Sequence, residues 1–111
     1  MKIDVKTAGG LSVVAIQGTI DGNTAPQAQE RILPLVAGDC RLMLEMSALE
    51  FMSSAGLRML LLLYRRVSGC GGRMVLTGLS EEIKDTMELT GFLDFFTTTD
   101  TVESGLAALA G

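Results

Sequence analysis

Short apolar runs of β type and longer runs of helical type take turns along almost the whole chain, with no linker between them. That alternation is the strongest constraint on the fold, because a strand–helix–strand series packs its helices onto a largely parallel sheet. "KIDVK" alternates at period two, "TAGG" supplies a hairpin turn, and "LSVVAIQG" reads as a buried strand rich in β-branched residues. Thr24 then opens a helix. Gln27 completes an expected capping box, Pro26 sits in the first turn, and Ala28, Ile32, Leu35 and Val36 form the inner stripe. Pro34 predicts a kink or an early end near Ile32.

"RLMLEM" (41–46) is the next strand, followed by a loop, a helix over about 55–68, and a core strand "RMVLT" (73–77). Ser80 caps a further helix with Glu81 and Glu82 in its first turn, where the helix dipole favours acids, and Gly91 ends it. "FFTTT" reads as a short strand, and Asp100 with Glu103 is expected to cap a last helix carrying Val102, Leu106 and Leu109. The expected fold class is α/β: one domain over residues 1–111, with a mixed, mostly parallel sheet of about five strands and about four helices.

Composition excludes several functions. The 111 residues contain no histidine, so there is no Ser-His-Asp triad, no histidine general base and no histidine metal ligand. Neither glycine-rich nucleotide motif is present; "GCGGR" (69–73) follows a helix and reads as its C-terminal cap and turn. No metal site and no cofactor are expected. The net charge of −4 and the absence of a basic stripe argue against a nucleic-acid partner. The longest apolar run, "MLLLLY" (59–64), is far short of a membrane span, and "MKIDVKTAGG" does not resemble a secretory signal. The expected location is cytoplasmic, with Cys40 and Cys70 as free thiols. A phosphoacceptor receiver domain would place acids at its strand ends, whereas these strands end in Ser47 and Gly78.

In open α/β sheets function collects where strands end and helices begin. "SALEFMSSAG" is the most informative such turn, with Ser53 and Ser54 ahead of Ala55 and Gly56. A nucleophile, a helix cap and a phosphate acceptor all fit two serines there. Small residues behind them leave first-turn N–H groups open to an anion. In the helix that follows, Leu57, Leu60, Leu61, Leu63, Tyr64 and Val67 form the expected core face, and Arg58, Arg65 and Arg66 mark the solvent side. Leu62 falls among the arginines and Met59 at their border. They are either ordinary surface apolar residues or a docking patch.

The segments "GTIDGNTA" (18–25), "LEMSALEFMSSAGLRMLLLLYRR" (44–66), "GGRMVLTGLS" (71–80) and "MELTGFLDFF" (87–96) together resemble the STAS domain of bacterial anti-sigma factor antagonists. The resemblance implies a partner switch in transcription regulation. The unphosphorylated antagonist binds an anti-sigma factor that is also a serine kinase, phosphorylation on one serine releases it, and a metal-dependent serine phosphatase resets it. The family pattern implies Ser54 as the acceptor. This chain carries Ser53 in place of the family's aspartate and Ala55 in place of its second hydroxyl residue, which leaves Ser53 as a rival. Asp21 matches the acidic residue of the family's earlier loop. The expected partner-binding set is Asp21, Asn23, Ser53, Ala55, Gly56, Arg58, Met59 and Leu62. A STAS scaffold without the switch, serving a stress-sensing complex or a lipid-transport machine, is the alternative; a serine-nucleophile enzyme is a remote one.

Overall fold

The computed structural model describes residues 1–110. Strands β1 (Lys2–Ala8) and β2 (Leu11–Ile20) form the antiparallel hairpin that the Gly9-Gly10 turn requires, pairing Lys2 with Gln17 through Ala8 with Leu11. Helix α1 (Ala25–Ile32) stops where Pro34 demands, passing into a 3-10 turn over Leu33–Leu35. Then follow β3 (Arg41–Glu45), β4 (Leu49–Met52), α2 (Ser54–Gly69), β5 (Arg73–Thr77), α3 (Glu81–Leu89), a 3-10 turn over Leu93–Phe95, β6 (Thr97–Thr99) and α4 (Val102–Ala110).

The sheet runs β1-β2-β3-β5-β6, parallel from β2 onward, with β4 added to β2. Period-two alternation divides it into two faces. Leu42, Leu44, Met74 and Leu76 point into the main core with Ala28 and Ile32 of α1, Leu57, Leu60, Leu63 and Val67 of α2, and Ile83 and Met87 of α3. Met43 and Val75 point the other way and are covered by Leu109 of α4.

Strand β4 lies inside the segment expected to be a loop. Its Leu49–Met52 pattern is two exposed residues between two buried ones, which carries no alternation for a sequence to display. It exists because β2 outruns β3. The first half of β2 pairs with β3 from Leu11–Arg41 to Ala15–Glu45, and beyond a register shift at Gly18–Thr19 the second half pairs with β4 from Gly18–Leu49 to Ile20–Met52. Gly18 sits at this bulge with φ 93°, a conformation that L side chains rarely adopt.

Local details depart from the expected ones where a neighbour competes. Thr24 stands at the start of α1, but its hydroxyl makes no cap bond and Gln27 forms no box with it. The hydroxyl instead turns back, donating to the Thr19 carbonyl oxygen (2.9 Å) and accepting from the Asp21 N–H (2.8 Å). At α4 the box is shifted by one residue. Thr101 N–H donates to Ser104 Oγ and Ser104 N–H to Thr101 Oγ1, each at 3.1 Å, while Asp100 lies 3.6 Å from Lys84. Of the expected α4 stripe only Leu109 is buried, and Val102 and Leu106 are exposed. The short strand is three threonines, with Phe95 left in the preceding 3-10 turn. Ser80 caps α3 as its sequence requires, accepting from Ile83 N–H at 3.2 Å.

On α2, Leu57, Leu60, Leu63 and Val67 are buried as expected, whereas Leu61 and Tyr64 are only half-buried. Tyr64 packs edge-on against Phe96 at 5.6 Å between ring centroids. Met59 is a correction: it is 3% exposed, because α1 lies along that flank of α2. Leu62, beside it, is half-buried.

Two substitutions test this packing. Leu60 is fully buried, so Leu60→Ala should cost about 2–5 kcal/mol in urea denaturation; a loss below a tenth of that would place α2 wrongly. A Cβ on Gly56 would lie 2.5 Å from Met52 Cγ and 2.9 Å from Ile20 Cγ2, and Ile20 is wholly buried. Gly56→Ala should therefore destabilise by about 1–3 kcal/mol, although alanine is the better helix former. A stabilised variant would show that the approach is looser than described.

Candidate functional site

The turn into α2 is held by strand ends on both sides. Pairing of Ile20 with Met52 brings the end of β4 beside the end of β2, and Ser53 N–H donates to the Ile20 carbonyl oxygen at 2.8 Å. Ser53 is thereby fixed in extended geometry (φ −80°, ψ 177°) as the N-cap residue, and its carbonyl accepts the first helical bond from Leu57 N–H at 3.1 Å. Its side chain does not cap. Ser53 Oγ is buried without a hydrogen-bond partner, and the N–H groups of Ser54, Ala55 and Gly56 receive no serine cap. Ser54, the first helical residue, is exposed.

The two serines thus differ sharply in access. Ser54 is exposed to solvent, whereas the Ser53 hydroxyl is buried. Gly56 is buried, and its missing side chain admits Met52 and Ile20; tight packing accounts for the glycine. Gly56 is therefore not a surface residue of the site, a correction to its expected place in the partner-binding set. Ala55 is half-buried.

The loop after β2 lies alongside. Asp21 Oδ1 accepts from Asn23 N–H (2.9 Å) and Thr24 N–H (3.1 Å), and these backbone bonds, Asn23 first, hold its carboxyl below the usual carboxylate range. Asp21 is engaged in shaping its own turn, and Asn23 is carried exposed at the turn's tip. Of the residues singled out in the sequence, Ser53, Ser54, Ala55 and Arg58 share the first turns of α2, and Asp21 and Asn23 stand on the adjoining loop.

Two depressions flank Ser54. One, of about 390 Å³, runs between α1 and α2 and is lined by Gly22, Pro26, Gln29, Ala55, Arg58 and Leu62, with buried Met59 also reaching it. The apolar patch expected on α2 is therefore one wall of a groove. The other, of about 360 Å³, opens between β4, the start of α2 and α3, bounded by Phe51, Ser53, Ser54, Leu57, Ile83 and the acids Glu50 and Glu82. Sequence reasoning missed this second cleft. Phe51 is 55% exposed at its mouth, and with β4 read as a loop nothing marked that ring as surface-facing. Among the described residues no three His, Cys, Asp or Glu side chains gather to hold a metal, and no helix is long and apolar enough to cross a membrane.

Residues 2–105 match the STAS domain family. BtrV of Bordetella bronchiseptica, named an anti-sigma factor antagonist, is 29% identical over 109 residues, covering 97% of this chain and 94% of that protein. The anti-sigma-B factor antagonist of Bacillus subtilis is 28% identical over 106 residues, covering 96% and 97% respectively. The crystal structure of an anti-sigma factor antagonist from Mycobacterium paratuberculosis superposes with a TM-score of 0.87 at 29% identity, covering 99% of this chain and 94% of that one. From the β1–β2 hairpin to α4, with the serine-bearing turn in between, the chain belongs to the STAS domain family.

Proposed function

We propose that the chain, as one STAS domain over residues 1–111, is an anti-sigma factor antagonist whose binding is switched off by phosphorylation of Ser54. The observation that carries this reading is the exposed Ser54 hydroxyl at the start of α2, beside a Ser53 hydroxyl that is buried. A kinase must bring its phosphate donor to the acceptor oxygen, and only Ser54 presents that oxygen to solvent. The partner is an anti-sigma factor with serine kinase activity, and a metal-dependent serine phosphatase restores the hydroxyl. The relatives bearing the antagonist name are regulatory binding proteins, and this chain, without histidine, acts by binding rather than catalysis.

The physics of the turn suits a reversible charge. A phosphate on Ser54 adds about −1.5 to −2 charges at neutral pH. At the first helical position it meets uncapped N–H groups and the positive end of the dipole, so the fold tolerates it. Arg58, exposed and one turn further along, is four residues away on the same helix face and within reach of the new charge. The partner surface that accepted a neutral hydroxyl then meets an anion whose desolvation it cannot offset. The proposed footprint is Ser54 with Ala55, Arg58 and Leu62 along the α1–α2 groove, and Asp21 and Asn23 on the adjoining loop.

The test is intact-mass and peptide analysis after incubation with the anti-sigma factor kinase of the same organism and ATP, followed by calorimetric binding to that protein. One phosphate on Ser54 is expected. Phosphate on Ser53 alone, or on neither serine, would overturn the switch. Ser54→Asp should fold normally and bind at least about tenfold more weakly, about 1.4 kcal/mol, while Ser54→Ala should bind like wild type.

Leu62→Arg probes the groove separately. Its guanidinium can reach water from a half-buried site, so the stability loss should stay below about 1 kcal/mol. Binding should fall at least about tenfold, about 1.4 kcal/mol; unchanged binding would remove the groove from the footprint.

A further inference from the structure

The two cysteines lie together at the opposite end of α2 from Ser54, a helix length of about 24 Å away. Cys40 precedes β3 and is buried; Cys70 follows the last turn of α2 and is half-buried; both are free thiols. One carbonyl ties them together. Cys70 Sγ lies 3.4 Å from the Ala37 oxygen, which also accepts the Cys40 N–H at 2.9 Å. The two segments bond again through Asp39 N–H to the Cys70 carbonyl oxygen (3.1 Å), and the chain just beyond through Arg73 N–H to the Cys40 carbonyl oxygen (2.8 Å). The Cys40 sulfur lies against the same turn: a Cβ placed on Gly72, two residues past Cys70, would be 2.8 Å from it. Between these contacts Asp39 adopts φ 57°, the one non-glycine residue with positive φ among those described.

The environments of the two sulfurs differ. Burial, and then the adjacent Cys70 thiol, push the Cys40 thiol up, so Cys40 stays protonated and shielded. Cys70 is the sulfur that a small oxidant meets first. Nothing in the proposed partner switch uses either one.

We propose that Cys70 and Cys40 are a reversible modification site for hydroperoxides, with Cys70 the attacking and Cys40 the resolving thiol. In the first step the Cys70 thiolate attacks one peroxide oxygen. An S–O bond forms, the O–O bond breaks, and the leaving hydroxide (alkoxide for an organic peroxide) takes up a proton, leaving Cys70 as a sulfenic acid. In the second, the Cys40 sulfur attacks the Cys70 sulfur. The S–S bond forms, the S–O bond breaks, and the departing hydroxide leaves as water with the Cys40 proton. Both thiols are oxidised, and hydrogen peroxide is reduced to water. The bridge ties the end of α2 to the turn before β3 and leaves the Ser54 surface untouched. A thiol reductant reverses it.

The full chain should be treated with excess hydrogen peroxide near neutral pH, quenched, denatured and alkylated with iodoacetamide. Cysteine peptides are the readout, since oxidised methionines change the mass elsewhere. Wild type should yield one peptide pair joined through Cys40 and Cys70, from monomeric protein, and dithiothreitol before alkylation should return both as alkylated thiols. In Cys40→Ala, Cys70 should be trapped by dimedone as a sulfenic acid; in Cys70→Ala, Cys40 should remain alkylatable. Wild-type protein that still alkylates at both cysteines, that links only between chains, or that accumulates oxygen on Cys70 without a bridge would overturn the proposal.

Discussion

Strand β2 serves two parallel partners in succession, and the rest of the architecture follows from that. Its ten residues outrun the five of β3, so past Ala15 the edge of β2 that faces away from β1 would be left unpaired beside a closed core. The bulge at Gly18 resets the register, and β4 takes over as neighbour. Because β4 ends where β2 ends, the next residue, Ser53, is fastened to Ile20, and α2 starts at a height set by the sheet. Removing that hand-over would leave the serines on an unanchored loop.

The same junction explains why neighbouring serines differ. An N-cap serine ordinarily accepts a hydrogen bond from the first turn of its helix. Here Ser53 has the same extended N-cap backbone as Ser80, yet its hydroxyl is buried without a partner and makes no bond to the first turn of α2. Leaving a buried hydroxyl unsatisfied costs about 1–3 kcal/mol. The helix start is fastened to the sheet while its own polar groups remain uncapped, the combination that the proposed phosphorylation of Ser54 requires.

Around that point the surface is divided by chemistry. Toward α1 lies a groove with Leu62 and Arg58 on its walls; toward α3 lies a cleft with an exposed phenylalanine and two acids. In the proposed complex a partner covering Ser54 would touch one or both, so a single phosphate at their boundary would interrupt a much larger contact. The cysteine pair, at the far end of α2, is tied to the turn before β3 and shares no residue with either depression.

Much was legible in the sequence because it depends on spacing within one segment. Period-two alternation predicted β1, and short apolar runs predicted β2, β3 and β5; the inward stripe of Leu57, Leu60, Leu63 and Val67 predicted how α2 packs; Pro34 and Ser80 marked a helix end and a helix start. Even the pairing of two serines with a helix N-terminus could be read locally. What only the tertiary structure decided depends on atoms distant along the chain. β4 is a strand because β2 needs a partner, and Met59 is buried because α1 lies on it. Gly56 is small because Ile20 fills its space, and Cys40 meets Cys70 because two turns, thirty positions apart in the chain, are hydrogen-bonded together. Local periodicity sets which face of an element is apolar, but a residue's exposure is settled by what the rest of the chain lays against it.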